Sequence, residues 1–328
     1  MIKYKRIPIF VSHMGCPNDC SFCNQRKITG HSETVTAKKA EEIIENSLKT
    51  LPENSDVEIG FFGGSFTGIE LSLQKELLAV AKKYVDSGKV NAIRLSTRPD
   101  YIDIDIVKML KSYGVTTVEL GAQSMDDEVL KLNRRGHKSE DTIEASKIIK
   151  DAGLKLGLQM MTGLFGDTNE KCIETAKKII ELKPDCVRIY PTLVLKDTYL
   201  HELLSKGEYN PQSLENAVSL CADLKLMFEK ENITVIRMGL MSSDNINPEK
   251  DVVAGPFHDA FGELVLSEIY FKNLKDKIQK DSEVLVNPKS ISAFIGDKKK
   301  NIKRMEESGI KIKFLQDENV PIGEFKIL

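Results

Sequence analysis

Through its first two-thirds the chain alternates short apolar runs with longer segments of helical periodicity, and that rhythm restricts the fold more than any other feature. The runs "IPIFVSH" (7–13), "VEIGFF" (57–62), "VNAIRLST" (90–97), "VTTVELG" (115–121), "LKLGLQMMTG" (154–163) and "DCVRIYPTLVL" (185–195) read as buried strands. Between them, "AKKAEEIIENSLKT" places Ala40, Ile43, Ile44 and Leu48 on one helical stripe. The next three helical stretches close on Gly88, Gly114 and Gly153, and Ser139 reads as the N-cap of the last of them. Helices are expected over 168–182 and 211–231, then a closing strand in "ITVIRMG". Six strand-then-helix units in series predict a parallel sheet with right-handed crossovers. The fold class is therefore α/β. A partial (β/α)6 TIM-type barrel is expected, with a doubly wound open sheet as the competing layout. In either, chemistry gathers at the carboxyl ends of the strands.

After about residue 240 the rhythm changes, which divides the chain into a barrel domain over 1–240 and a small α+β module over 241–328. The segment "SEVLVNPKSISAFIGDKKKNIKRMEESGIKIKFLQDENVPIGEFKIL" reads as strand, helix, glycine-containing loop, basic helix, strand, turn, strand.

The chain has 328 residues, 41% hydrophobic and 29% charged, with a net charge of -2. That balance suits a soluble protein and excludes a strongly basic nucleic-acid binder on bulk charge. No apolar run approaches the roughly 20 residues that span a bilayer, so no membrane association is expected. The start "MIKYKRIPIFVSH" is broken by Pro8 and lacks a cleavage pattern, so it does not read as a signal peptide. Cys172, Cys186 and Cys221 are scattered through amphipathic or apolar contexts and read as buried, reduced thiols. A reducing, cytoplasmic location is expected.

The other three cysteines fall within eight positions of "HMGCPNDCSFCNQRKITG", in a C-x-x-x-C-x-x-C spacing directly after the first strand. A structural zinc ion takes four protein ligands, and His13 could complete a Cys3His set. An iron–sulfur cluster is the stronger reading, because three thiolates on a cluster of four irons leave one iron open for a substrate or cofactor.

The motif, followed in order by "FFGGSFTGI", "STRPDYI", "VELGAQSMDDEVLKLNRRGH" and "DVVAGPFHDAFGELV", resembles the radical S-adenosylmethionine (radical SAM) superfamily, and within it the Elongator catalytic-subunit branch. The resemblance covers almost the whole chain. It implies that Cys16, Cys20 and Cys23 hold a 4Fe–4S cluster and that S-adenosylmethionine chelates the open iron. Reductive cleavage would then give a 5′-deoxyadenosyl radical that takes hydrogen from the substrate. An electron donor such as ferredoxin or flavodoxin is implied. The chain ends too soon to hold the acetyltransferase domain of the Elongator subunit, so the Elongator reaction itself is not assigned. RNA, with tRNA as a candidate, is the expected substrate; a radical SAM enzyme on a small metabolite or protein, and a non-catalytic metal-stabilised RNA-binding protein, are the alternatives.

The same resemblance implies cofactor contacts for Phe22, Gly63, Gly64, Gln123, Ser124, Arg135 and Gly163. Phe22 would pack near the adenine or shield the cluster. The glycine pair would let the backbone approach the methionyl amine. Arg135 would pair with the methionyl carboxylate, with Arg134 as its competitor. Related sequences commonly carry an acid where this chain has Ser65 and a glutamate where it has Ser96. Gly166 would flank the adenine beside Gly163, and Tyr190, Pro191 and Thr192 would line the cavity. His137 reads as a solvated or capping residue and His258 as packing at the domain junction. The C-terminal segment resembles a KH-type RNA-binding unit whose G-x-x-G loop has become Gly296-Asp297-Lys298-Lys299. Lys298, Lys299, Lys300, Lys303 and Arg304 are its candidate RNA contacts.

Overall fold

The computed structural model describes residues 4–11, 16, 20–23, 35–52, 54–240 and 250–328. Seven strands form one all-parallel sheet: β1 (Tyr4–Phe10), β2 (Asp56–Phe62), β3 (Ala92–Thr97), β4 (Val115–Gln123), β5 (Lys155–Thr162), β6 (Cys186–Pro191) and β8 (Thr234–Met238). Their spatial order follows the chain without reversal. A doubly wound sheet must reverse its strand order at a switch point, so the observed order selects the curled partial barrel.

Helices α1 (Ala37–Thr50), α2 (Leu71–Asp86), α3 (Ile104–Ser112), α5 (Ser139–Asp151), α6 (Asn169–Glu181) and α8 (Leu214–Lys230) return the chain between strands. Their apolar stripes, Ala40 and Ile44 in α1 and Leu77, Leu78 and Ala81 in α2 among them, are buried against the sheet. Each large apolar side chain so buried stabilises the fold by roughly 1.5–3 kcal/mol. Thr36, Asp103, Thr168 and Ser213 cap four of these helices by accepting a backbone N–H. Ser139, expected as the cap of α5, is instead its first helical residue, and the carboxylates of Asp127 and Asp141 take the N–H groups of Ser139 and Lys138.

The run expected as one strand over 185–195 is two. After Pro191 the chain leaves the sheet, and β7 (Val194–Leu195) pairs antiparallel with β9 (Val252–Ala254). Two short helices, α4 (Asp127–Leu132) and α7 (Tyr199–Ser205), lie in the loops after β4 and β7.

Helix α9 (Phe261–Lys277) joins the two cores. Phe261, Val265 and Ile269 pack into the barrel core, while Tyr270, Phe271 and Leu274 pack into a second one. That second core belongs to β10 (Ser282–Val286), α10 (Ile291–Ile295), α11 (Lys300–Glu307), β11 (Ile312–Gln316) and β12 (Phe325–Ile327), whose sheet order is β11-β10-β12. Phe294 sits at its centre, edge-on to Tyr270, Phe314 and Phe325. Asn301, buried at the start of α11, donates to carbonyls of Ser267 and Phe294 and so pins α11 to α9 and α10. Among the described residues no helix is long and apolar enough to cross a membrane.

Candidate functional site

The carboxyl ends of the parallel strands surround a cavity of about 1040 Å³. Cys16, Cys20 and Cys23 line it, together with Phe22, Gly63, Gly64, Gln123, Arg134, Arg135 and Tyr190. Sequence positions more than a hundred residues apart are thus brought to one chamber, because each follows a strand of the same sheet. His13, the candidate fourth zinc ligand, lies outside the described residues.

The cysteine segment is held by its own backbone and by a buried latch. Ser21 donates its hydroxyl to Asn133 Oδ1 at 2.5 Å, and its N–H bonds the Asn133 carbonyl at 3.1 Å. Asn133 donates to Val129 and Phe165 carbonyls and accepts from the Phe165 N–H, so one fully buried amide joins three loops. The Ser21 carbonyl receives the Leu200 N–H at 2.8 Å, which ties the same segment to α7.

Arg135 reaches the cysteines from the loop after β4. Its Nη1 lies 3.2 Å from Cys20 Sγ and its Nη2 donates to the Gly121 carbonyl at 2.7 Å. Arg134 lines the same cavity and stacks on the Tyr199 ring, 3.4 Å from its centroid. Arg98 forks onto Asp100 with bonds of 2.9 and 2.7 Å, leaving its buried Nη1 without a partner among the described residues.

Gly63 adopts φ 93, a conformation closed to most side chains. The neighbouring Ser65 does not stand in for an acid. Its hydroxyl meets Thr97 Oγ1 at 2.8 Å and receives the Arg98 N–H at 3.2 Å, while Thr67 Oγ1 meets Thr97 at 2.6 Å. These hydroxyls fasten the turn after β2 to the end of β3. Gln123 holds φ 66 at an irregularity in the β4–β5 pairing and accepts from Gln159 Nε2 at 3.1 Å.

Five residues expected at the cofactor or in the cavity stand apart from it, among them Pro191, which lines a separate small pocket with Gly239, Pro256 and Phe261. Ser124 turns toward α6, where its hydroxyl lies 3.3 Å from that of Thr175. Gly163 and Gly166 are not in the cavity lining; the Gly163 carbonyl accepts from the Tyr209 hydroxyl at 2.6 Å, and Gly166 packs under Leu132. Thr192 is buried, and its hydroxyl has no hydrogen-bond partner among the described residues. His137 is buried rather than solvated. Burial first, and then the Arg135 cation, push its pKa down to about 4. Asp100 and then the Ala122 backbone favour its protonated form but do not offset these, and neither ring nitrogen has a hydrogen-bond partner among the described residues. His258 is exposed and accepts the Ala260 N–H ahead of α9.

The inner face of the sheet carries charges that apolar periodicity does not reveal. Arg6 and Arg94 each approach Glu58 at 2.9 Å; Arg94 reaches Glu119 at 2.7 Å, and Arg188 forks onto Glu119 at 2.5 and 3.0 Å. Burial opposes ionisation of Glu119, but Arg188 and then Arg94 outweigh it and hold the carboxyl below the usual range. Tyr4 completes the ladder at Glu58. The sequence does carry a signal: "VEI", "IRL", "VEL" and "VRI" each set one charge between two apolar residues in a strand.

In the C-terminal module Lys298, Lys299, Lys300 and Lys303 are exposed. Arg304 is not part of that surface. It forks onto Glu268 at 2.6 and 3.2 Å and lies 3.3 Å from the Phe271 ring centroid, locking α11 to α9. Lys298 and Lys299 hold φ 48 and φ 61, so lysine occupies a left-handed position where a glycine would carry no strain.

Three soft thiolates beside two guanidinium groups fit an iron–sulfur cluster. Among the described residues no three His, Cys, Asp or Glu side chains converge on one ion. Thiolates that each hold a different iron have no need to converge.

Residues 11–179 match the Radical SAM superfamily model, 184–270 the Radical_SAM C-terminal domain and 282–327 the KH domain. The tRNA uridine(34) acetyltransferase of Methanocaldococcus infernus is 31% identical over 261 residues, which are 74% of this chain and 48% of that protein. The chain thus spans about half the length of such archaeal relatives. Elongator complex protein 3 of Saccharomyces cerevisiae is 36% identical over 137 residues, 41% of this chain and 25% of that one. The solved structure of the archaeal Methanocaldococcus infernus Elp3 with an N-terminal deletion superposes with a TM-score of 0.66 at 27% identity, covering 84% of this chain and 64% of that one.

Proposed function

The chain belongs to the radical SAM superfamily, in its Elongator-like branch, and on that premise we propose that it is a radical SAM enzyme that modifies RNA, with tRNA as its substrate class. Members of the superfamily use a 4Fe–4S cluster and S-adenosylmethionine, which together supply a 5′-deoxyadenosyl radical that takes hydrogen from a substrate. The observation that carries the reading is the meeting of Cys16, Cys20 and Cys23 with Arg135 and the Gly63-Gly64 turn in one cavity.

Within that cavity the three thiolates would hold the cluster. Arg135, already against Cys20, would place positive charge where the methionyl carboxylate sits, and the glycine turn would leave room for the amine. Phe22 packs with Leu164, Met161 and Tyr190, an apolar patch that would keep water from reactive carbon centres. At about 1040 Å³ the cavity matches the upper end of small-molecule pockets, roughly 1,000 Å³, so a cofactor and part of a substrate could share it. The KH match and the exposed lysines beside Gly296 support RNA as the partner. A low-potential one-electron donor such as ferredoxin or flavodoxin would serve the cluster, and the cytoplasm would supply both donor and tRNA.

Anaerobic reconstitution tests the proposal. The reconstituted protein should hold about four irons and release 5′-deoxyadenosine when reduced with S-adenosylmethionine. C16A, C20A or C23A should abolish both. Product analysis on total tRNA would identify the modified nucleoside. Stoichiometric zinc without iron would overturn the reading.

A further inference from the structure

Arg237, on the last strand of the sheet, stands outside the charge ladder. It is the register partner of Arg188 on the neighbouring strand, and both line the cavity. Register partners on parallel strands sit about 4.8 Å apart and face the same side. Arg188 is matched by Glu119. The Arg237 guanidinium makes one long bond, 3.4 Å from Nε to the Gly239 carbonyl, and no carboxylate reaches it among the described residues. Counted along the inner wall, four guanidinium groups (Arg6, Arg94, Arg188, Arg237) face two carboxylates (Glu58, Glu119), an excess of two positive charges.

Gly157 explains why the excess lies at the β8 edge. It occupies the strand between Glu119 and Arg188, and a Cβ there would fall 2.7 Å from Glu119 Cγ. Glu119 therefore leans across β5 and spends its two oxygens on Arg188 and Arg94. Nothing comparable extends to Arg237. Two neighbouring guanidinium groups in a partly enclosed cavity repel each other unless an anion joins them.

We propose that Arg237, with Arg188 beside it, forms an anion subsite at the β8 edge of the cavity and takes a phosphate or carboxylate group of the substrate. Guanidinium groups meet such anions through paired, charge-assisted hydrogen bonds. Tyr190, whose hydroxyl accepts from Arg188 Nη1 at 3.4 Å, borders the subsite. The inference rests on the cavity being the reaction chamber. Failure of that reading would show as missing iron and missing cofactor cleavage in the unsubstituted protein, two readouts independent of anion binding.

The test is equilibrium binding of inorganic pyrophosphate, of acetate and of a short RNA stem–loop at low ionic strength to the reconstituted protein and to R237Q and R237K. R237Q should weaken pyrophosphate binding by about tenfold or more, the usual loss for a charge-assisted pair, and R237K, which keeps the charge but not the paired donors, should bind between the two. If R237Q weakens pyrophosphate or acetate alone, the anion belongs to a small substrate; if it weakens the stem–loop as well, the anion is an RNA phosphate. Equal binding of all three probes by R237Q and unsubstituted protein would overturn the subsite. Should R237Q not fold, phenylglyoxal labelling of the unsubstituted protein gives the answer by mass spectrometry: pyrophosphate should protect Arg237, and undiminished labelling would overturn the inference.

Discussion

Arg135 holds a cysteine sulfur and a strand end at once: its Nη1 is 3.2 Å from Cys20 Sγ, and its Nη2 is 2.7 Å from the Gly121 carbonyl. The pairing makes it the better choice over Arg134, whose guanidinium lies flat on Tyr199. A cation and hydrogen-bond donor beside a cluster ligand favours the more negative, reduced state. R135Q should therefore assemble a cluster of normal iron content with a more negative midpoint potential, read by redox titration. Its affinity for S-adenosylmethionine should fall by about 1.5–3 kcal/mol. An unchanged potential together with unchanged affinity would remove Arg135 from the site.

The Ser21–Asn133 latch leads to a second expectation. Asn133 is fully buried and ties its own loop to two others, so removing its amide strands several polar groups. N133A should cost about 2–4 kcal/mol in urea unfolding, as loss of a buried hydrogen-bond network does. Because the latch holds the residue between Cys20 and Phe22, N133A should also lose iron faster to a chelator. Destabilisation without faster iron release would mean that the latch supports α4 alone.

Which of these features are legible in the sequence depends on how locally each is encoded. The parallel sheet is legible because apolar runs and capped helices are short-range patterns, and the cysteine spacing is complete within eight residues. The charge ladder is not, because Glu58, Arg94, Glu119 and Arg188 acquire meaning only once five strands, β2 to β6, lie side by side. Apolar runs also place the first strand at 7–13, whereas β1 spans Tyr4–Phe10, its polar start held to β2 by the bonds of Tyr4 and Arg6 to Glu58. Arg304 looks like one more cation of the basic helix; its fork onto Glu268 depends on how α11 docks on α9, a tertiary relation with no local signature. Ser124 and Gly163 follow strands as cofactor contacts should, but a β-strand end can point to either face, and theirs point to α6 and Tyr209.

His137 sets an acid limit on stability. Its folded pKa of about 4 lies below the ordinary 6.5, so the folded state resists a proton that the unfolded chain accepts. Its contribution is fully present above pH 6.5 and is lost as pH falls toward 4. The full loss is about 3 kcal/mol, from 1.36 kcal/mol per unit. Urea unfolding between pH 7.5 and 4.5 should show a shallower decline in H137Q than in unsubstituted protein. Parallel declines would remove His137 from the acid limb in this window, because Glu119 and Asp127, held below their ordinary values of 4.5 and 3.8, lose their contributions only at lower pH.

The last expectation separates loop shape from loop charge in the KH module. Lys298 and Lys299 extend from left-handed positions, with Lys300 and Lys303 exposed on the helix that follows. If these lysines meet RNA phosphates, K298E/K299E/K303E should weaken binding regardless of sequence. It should also reduce the log–log salt slope by about 0.7 for each single-strand phosphate no longer neutralised. K299G is the sharper variant. Glycine fits φ 61 without strain, so K299G should leave the fold at least as stable, by up to about 1 kcal/mol, while removing one charge. A lower RNA affinity in K299G with raised or unchanged Tm would assign the contact to the lysine's charge. Full affinity in K299G would leave the loop's backbone N–H groups as the recognition element, with lysine tolerated there for its surface charge alone. R304A should behave differently from both. It breaks the Glu268 fork and the Phe271 stack, so it should lower Tm while leaving the salt slope of RNA binding unchanged. A flattened slope in R304A would return Arg304 to the RNA surface and imply that α11 swings away from α9 when RNA binds.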